Sequence, residues 1–377
     1  MQRQQQLAAW LHSQFPEATF TLAPASTDAS FRRYFRVTFQ KSEHGDEQAS
    51  RCERLEMRGA TERVPAHTVL VGEGRASMQH SRSSAQQAGT LIVMDAPPQH
   101  EDCRPFLHIA RLFEEAGTHV PHVYAQDLQQ GFLLLSDMGN TTYLQALRAD
   151  TARELYGAAT DALIGIQLAS RENELPPYDE ALLLREMRLF PEWYVARHLN
   201  VTLTDEQRTG LEEIFARIIA NNLAQPRVYV HRDYHSRNLM VSEPDPGILD
   251  FQDAVYGPIT YDLVSLFKDA YIRWEEAETL DWLIRYWEKA RKAGLPVPDD
   301  FSRFYRDYEW MGVQRHLKVL GIFARLCHRD GKDGYLKDLP LVMEYLRRAC
   351  ERYIDLKPLL NLLDELEPRG LQAGYTF

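Results

Sequence analysis

Residues 228–240, VYVHRDYHSRNLM, set His231, Asp233, His235 and Asn238 between two short apolar runs of β-forming residues. Asp and Asn are ordinary turn residues, so a polar turn between two strands would account for either one alone. The spacing adds a tighter constraint: Asn238 follows Asp233 by five positions, and Asp250 follows after one further apolar run, GILDF. A strand–loop–strand hairpin of this size turns both of its ends into one cleft. Phosphoryl transfer requires such a set, a carboxylate to take the proton of an attacking hydroxyl and oxygen ligands for a metal held against nucleotide phosphates. HRDxxxxN followed by a strand that ends in Asp is its sequence form. His231 reads as packing beneath the loop. His235 reads as a brace for the loop or a substrate contact, and Asp253 as facing substrate or solvent.

The flanking chain divides in two. TFTLAP, RYFRVTF, GTLIVMDAP, HVYAQDL and GFLLLSD are β-rich runs. Among them, EDCRPFLHIARLFEEAG carries helix signals: Pro105 near its first turn, apolar residues at 106, 109, 110, 112, 113 and 116, and a closing Gly117. From residue 141 onward the pattern is helical except around the opening stretch, with single helices expected over TARELYGAATDALIGIQLAS, ALLLREMRLFPEWYVARHL and TDEQRTGLEEIFARIIANNL. The fold class is therefore α+β, an α+β lobe over residues 1–139 joined to a mostly α-helical lobe over 140–377. Residues 40–88 contain no Phe, Trp or Tyr and balance seven basic against seven acidic side chains, so they have little with which to build a core. They read as a long mobile insertion with a weak strand at HTVLVGE, or as a lid over the site.

Composition removes other classes. A net charge of -11 disfavours nonspecific nucleic-acid binding. No run approaches the ~20 apolar residues of a membrane span, and MQRQQQLAAWLHSQF is too polar for the core of a signal peptide. A cytoplasmic protein is expected, bound to neither nucleic acid nor membrane. Cys52, Cys103, Cys327 and Cys350 lack ligand-like or paired spacing and read as reduced thiols.

HRDYHSRN followed by LDFQDAVYGPITYDL resembles the aminoglycoside phosphotransferase and choline kinase-like family, whose pattern runs HxDxHxxN, a metal-binding Asp and a GPxxYDL-like segment. The similarity is greater to one branch, the bacterial anomeric kinases of N-acetylmuramate and N-acetylglucosamine in peptidoglycan recycling. ASFRRYFRV, LIVMDAPP, EDCRPF, GFLLLSDMG, LFPEWY and MGVQRHLKVLGIFARL carry that likeness. The resemblance implies a bilobal protein-kinase-like fold with a small β-rich N-terminal lobe and a larger helical C-terminal one. It also implies ATP and Mg²⁺ as cofactors, an amino sugar as acceptor, and a monomer. It makes Asp233 the catalytic base, Asn238 and Asp250 the Mg²⁺ ligands, and Asp262 a buttress of the loop. The adenine would lie against the backbone of Ser136, Asp137 and Met138.

Two family features are missing. STDASFRRYF has no glycine where a glycine-rich loop would cover the phosphates, and Met94 stands where the third strand would carry a lysine. No nearby lysine substitutes, since Lys41 is the only one before Lys268. The amides of Ser30 and Phe31 with Arg32 or Arg33 are the expected replacement, unless those arginines are simply solvated. For an acceptor carboxylate, Arg273, Arg315 and Lys318 are the candidate cations. Trp193, Tyr194 and Trp274 would stack on a sugar or pack in the core. A kinase of another small acceptor, choline-like or an aminoglycoside, and a nucleotide-binding pseudokinase scaffold are the competing readings.

Overall fold

The computed structural model describes residues 2–27, 31–40 and 89–368. Of the expected insertion at 40–88, residues 41–88 with the weak strand, Lys41 and Cys52 lie outside the described residues, as does Ser30.

The N-terminal lobe is a sheet covered on both faces. Helix α1 (Gln2–Gln14) precedes strands β1 (Phe20–Thr27), β2 (Arg33–Phe39) and β3 (Thr90–Asp95); helix α2 (Arg104–Glu115) then leads to β4 (Val123–Asp127) and β5 (Phe132–Ser136). All neighbours pair antiparallel in the order β1-β2-β3-β5-β4. Strand alternation sorts the side chains. Phe35, Val37, Leu91, Val93, Phe132 and Leu134 pack against Leu7, Trp10 and Leu11 of α1. Tyr34, Ile92, Met94, Leu133 and Leu135 point the other way, into the core that α2 shares with the second lobe. Both faces being covered explains the unbroken apolar runs LIVM and FLLL. The β4–β5 turn needs Gly131, which has φ 71° and sits so close to Ala96 that a Cβ would fall 1.9 Å from the Ala96 carbonyl oxygen.

The second lobe begins with α3 (Tyr143–Ala146), α4 (Ala152–Leu168), α5 (Glu180–Met187) and α6 (Asp205–Leu223). Thr204 caps α6 in a capping box with Gln207. Four short strands follow, β6 (Arg227–Val230), β7 (Leu239–Met240), β8 (Gly247–Ile248) and β9 (Val255–Pro258), with β6 paired to β9 and β7 to β8. Helices α7 (Tyr261–Phe267), α8 (Glu276–Lys292), α9 (Phe301–Asp330), α10 (Leu339–Arg352) and α11 (Lys357–Leu366) complete the lobe. Cys103, Cys327 and Cys350 are free. No helix among the described residues is long and apolar enough to cross a membrane.

One expected helix is divided. ALLLREMRLFPEWYVARHL ends its α-helical part at Met187, and Phe190–His198 form a π-helix. Pro191 is the cause, because it has no amide to donate into the preceding turn and its ring crowds the backbone there. The π-helix packs on α9, where Gly321 lets the chains meet: a Cβ on Gly321 would lie 2.4 Å from the Leu189 carbonyl carbon. Backbone cannot swing aside like a side chain. Gly321→Ala is therefore expected to destabilise by about 1–3 kcal/mol, read as a lower urea midpoint at unchanged slope. Gly210→Ala, in α6 with nothing within 4 Å of its added Cβ, is the control and should stabilise by about 0.5–1 kcal/mol.

Candidate active site

Strands β6 and β7 hold the two ends of the loop 231–238, and Asp262 in the first turn of α7 fixes its entry. The buried Asp262 carboxylate accepts the amide hydrogens of His231 at 2.7 Å and Arg232 at 3.0 Å. Arg232 has φ 76°, a conformation unfavourable for a side-chain-bearing residue. The two accepted bonds help hold it. Burial pushes Asp262 up to about 7, against the pull of the two amide donors.

The His231 ring lies beneath the loop. Burial drives its pKa down to about 4, so it is neutral, with Nε2–H donating to the Leu249 carbonyl at 3.0 Å and Nδ1 accepting the Asp233 amide at 3.2 Å. Asn238 closes the other end. Its Nδ2 donates to the Asp233 carbonyl at 3.0 Å and to Asp250 Oδ2 at 3.3 Å, and its own carbonyl accepts the Leu249 amide at 2.9 Å. Asp250 sits at φ 63° and accepts a 2.7 Å bond from Gln252.

Asp233 is thus fixed through its backbone while its carboxylate stays open, with no hydrogen bond to its side-chain oxygens from the described residues. Burial would raise its pKa, but Lys318 above all, with His235, Arg315 and Arg232, outweighs burial and holds Asp233 at about 2. It is a carboxylate at neutral pH. Two of these cations are tied to Glu186, a buried acid on α5 that takes Arg232 at 2.6 Å, Lys318 at 2.9 Å, Gln314 at 3.1 Å and the Tyr178 hydroxyl. Arg315 donates to the Arg232 carbonyl and to the Tyr261 hydroxyl, each at 3.3 Å.

Asn238 and Asp250 meet at one point of the cleft and offer an amide oxygen and a carboxylate. Hard divalent cations take such oxygen donors, and Mg²⁺ shares its shell with phosphates and water. No group of three or more His, Cys, Asp or Glu able to hold a metal occurs among the described residues. The pair is a fit for Mg²⁺.

The remaining candidates separate by environment. Arg32 pairs with Glu101 at 3.2 Å, feels the charge of Asp250, and shares Glu101 with the Phe31 amide at 3.3 Å. Arg33 and Arg3 instead neutralise the buried Asp95. Ser136, at the end of β5, exchanges bonds of 2.9 Å with the His122 backbone; Asp137 is clasped by Arg36 at 2.6 and 2.9 Å, and Met138 is buried. Asp253 is exposed and gives its carbonyl to Arg232. Arg273 is exposed and bound to Glu344, away from the loop. The His235 ring stands 5.5 Å from Tyr271, and its Nδ1 is buried without a partner. Sequence reasoning missed Glu186, Arg232, Gln252, Glu101 and Arg36. Only Arg232 carried a signal, from its place inside HRD.

Residues 72–301 match the phosphotransferase enzyme family. A Pseudomonas aeruginosa protein named N-acetylmuramate/N-acetylglucosamine kinase is 46% identical, covering 98% of this chain and 98% of its own. A Neisseria meningitidis protein of the same name is 45% identical with 100% of both chains covered. Among solved structures, a choline/ethanolamine kinase family protein from Mesorhizobium loti aligns with a TM-score of 0.56 at 13% identity, over 95% of this chain and 99% of that one. An ADP-bound aminoglycoside phosphotransferase aligns with a TM-score of 0.53 at 13% identity, over 90% and 97%. Those two likenesses show the bilobal kinase-like fold. The chain belongs to the phosphotransferase enzyme family.

Proposed function

We propose that this enzyme transfers the γ-phosphoryl group of ATP to the anomeric hydroxyl of N-acetylmuramate and N-acetylglucosamine, giving the sugar 1-phosphates for peptidoglycan recycling. The carrying observation is the open, ionised Asp233 carboxylate beside the Asn238–Asp250 pair. The hydroxyl oxygen attacks the γ-phosphorus, the bond to the β-γ bridging oxygen breaks, ADP departs, and the hydroxyl proton passes to Asp233. The names of the near-full-length relatives support the acceptor. The anomeric position suits the base: a carboxylate held at about 2 is a weak proton acceptor, and a hemiacetal hydroxyl is more acidic than the other sugar hydroxyls. Asn238 and Asp250 would hold Mg²⁺, which when bound supplies positive charge against the phosphate oxygens. A monomer is part of this proposal, and consumption of ATP is in keeping with the cytoplasm.

On this reading Arg32 takes over from the absent third-strand lysine. Its ion pair with Glu101, just ahead of α2, parallels the lysine–glutamate pair of protein kinases, and Arg32 interacts with the Asp250 charge. The Ser30 amide would join it at the phosphates, the Phe31 amide being given to Glu101, and the backbone of Ser136, Asp137 and Met138 would face the adenine.

ADP release should be stimulated by N-acetylmuramate and N-acetylglucosamine but not by glucose, choline or kanamycin, and phosphorus NMR of the product should place the phosphate at C1. A 6-phosphate would refute the regiochemistry, and turnover of choline or kanamycin alone would favour the rival acceptors. Arg32→Ala should raise the ATP KM about tenfold or more, while Arg33→Ala should leave it within about twofold. Equal effects of the two substitutions would contradict the assignment.

A further inference from the structure

Arg237 lies inside the loop that carries Asp233, between two anchored neighbours. The Ser236 amide donates to Asp269 at 3.0 Å, and the Asn238 amide donates to the His235 carbonyl at 2.9 Å. Its guanidinium carbon rests 3.5 Å from the centroid of the Tyr271 ring and 5.8 Å from that of Tyr335. Both rings are backed by the buried Phe323 of α9, at 6.0 Å and 5.2 Å. Tyr271 is further fixed by its amide, which donates to Asp269 at 3.1 Å. The guanidinium is therefore supported by an aromatic platform that leaves its N–H edges available.

Among the described residues this arginine forms no ion pair. Two acids lie beside this part of the loop, Asp269 through Ser236 and Asp338 through its interaction with the Arg237 charge. Asp269 is engaged by Ser236 and by the Tyr271 amide, and Asp338 attracts Arg237 from beyond ion-pair distance. The other cations considered for an acceptor carboxylate are committed: Arg273 to Glu344, Lys318 to Glu186, and Arg315 to the Arg232 carbonyl and Tyr261. Between Asp233 and the platform stands His235, whose Nδ1 is unpartnered. From base to platform the loop presents the Asp233 carboxylate, the His235 ring and a guanidinium with no ion pair among the described residues.

We infer that Arg237 is the specificity residue of the acceptor site, binding the lactyl carboxylate that distinguishes N-acetylmuramate from N-acetylglucosamine. The inference rests on the sugar-kinase reading. A planar guanidinium matches a carboxylate with two parallel N–H···O bonds, so the acid sugar gains a contact that the neutral sugar lacks. The contact is made at the far end of the sugar from the reacting oxygen, so it acts mainly on KM.

The test compares kcat/KM for N-acetylmuramate, its methyl ester and N-acetylglucosamine in the wild type, Arg237→Ala and Arg237→Lys. Arg237→Ala should lower kcat/KM for the acid about tenfold or more, mainly through KM, and lower it for the ester and the neutral sugar by no more than about threefold. Arg237→Lys should restore part of the loss for the acid and none for the ester. Equal losses on all three acceptors would overturn the inference, as would an unchanged acid-to-ester ratio in either variant. If Arg237→Ala does not fold, the ratio in Arg237→Lys decides. A wild type inactive on all three would refute the sugar reading itself and the inference with it, so the two failures are distinguishable.

Discussion

The loop 231–238 depends on one buried carboxylate receiving two consecutive amides. Asp262 takes the hydrogens of His231 and Arg232, and the chain between them must turn through a left-handed conformation at Arg232 to present both. That conformation costs roughly 1–2 kcal/mol for a residue with a Cβ, comparable to what the two bonds return. The turn starts the loop so that the Asp233 amide meets His231 while the Asp233 carboxylate takes no donor among the described residues. A loop relaxed into ordinary backbone geometry would lose that arrangement.

Glu186 supplies the electrostatic counterpart. It holds Arg232 and Lys318, two of the charges that keep Asp233 ionised, and is itself kept at about 2, where those cations overcome its burial. The arrangement is reciprocal. Removing one partner from such a buried set leaves an uncompensated charge, at a cost of about 3–5 kcal/mol. Because Glu186 lies on α5, Lys318 on α9 and Arg232 in the loop, the same contacts join the helical body to the loop 231–238.

Short-range spacing made the core of the site legible. One loop separates Asp233 from Asn238 and the β7–β8 hairpin separates Asn238 from Asp250, so the three lie close along the chain, and the fold brings Asn238 against Asp250. Glu186 escaped notice because its partner Arg232 is 46 residues away, with no periodicity linking them. The π-helix escaped because apolar spacing does not register the amide that Pro191 lacks. Arginines were the hardest to sort. In a chain with no lysine between Lys41 and Lys268, their identity carries little information, and only their partners distinguish them. Asp95 neutralises Arg33, Glu344 occupies Arg273, Glu101 pairs with Arg32, and an aromatic platform supports Arg237.

Proton acceptance by Asp233 is the central claim, and Asp233→Asn tests it most directly because the amide keeps the shape of the side chain and removes its basicity. Single-turnover phosphoryl transfer to N-acetylmuramate, measured beside ATP binding and thermal unfolding of the same variant, should slow by about 10²–10⁴-fold while binding and folding stay near the wild type. A variant that transfers phosphate at the wild-type rate would contradict the account.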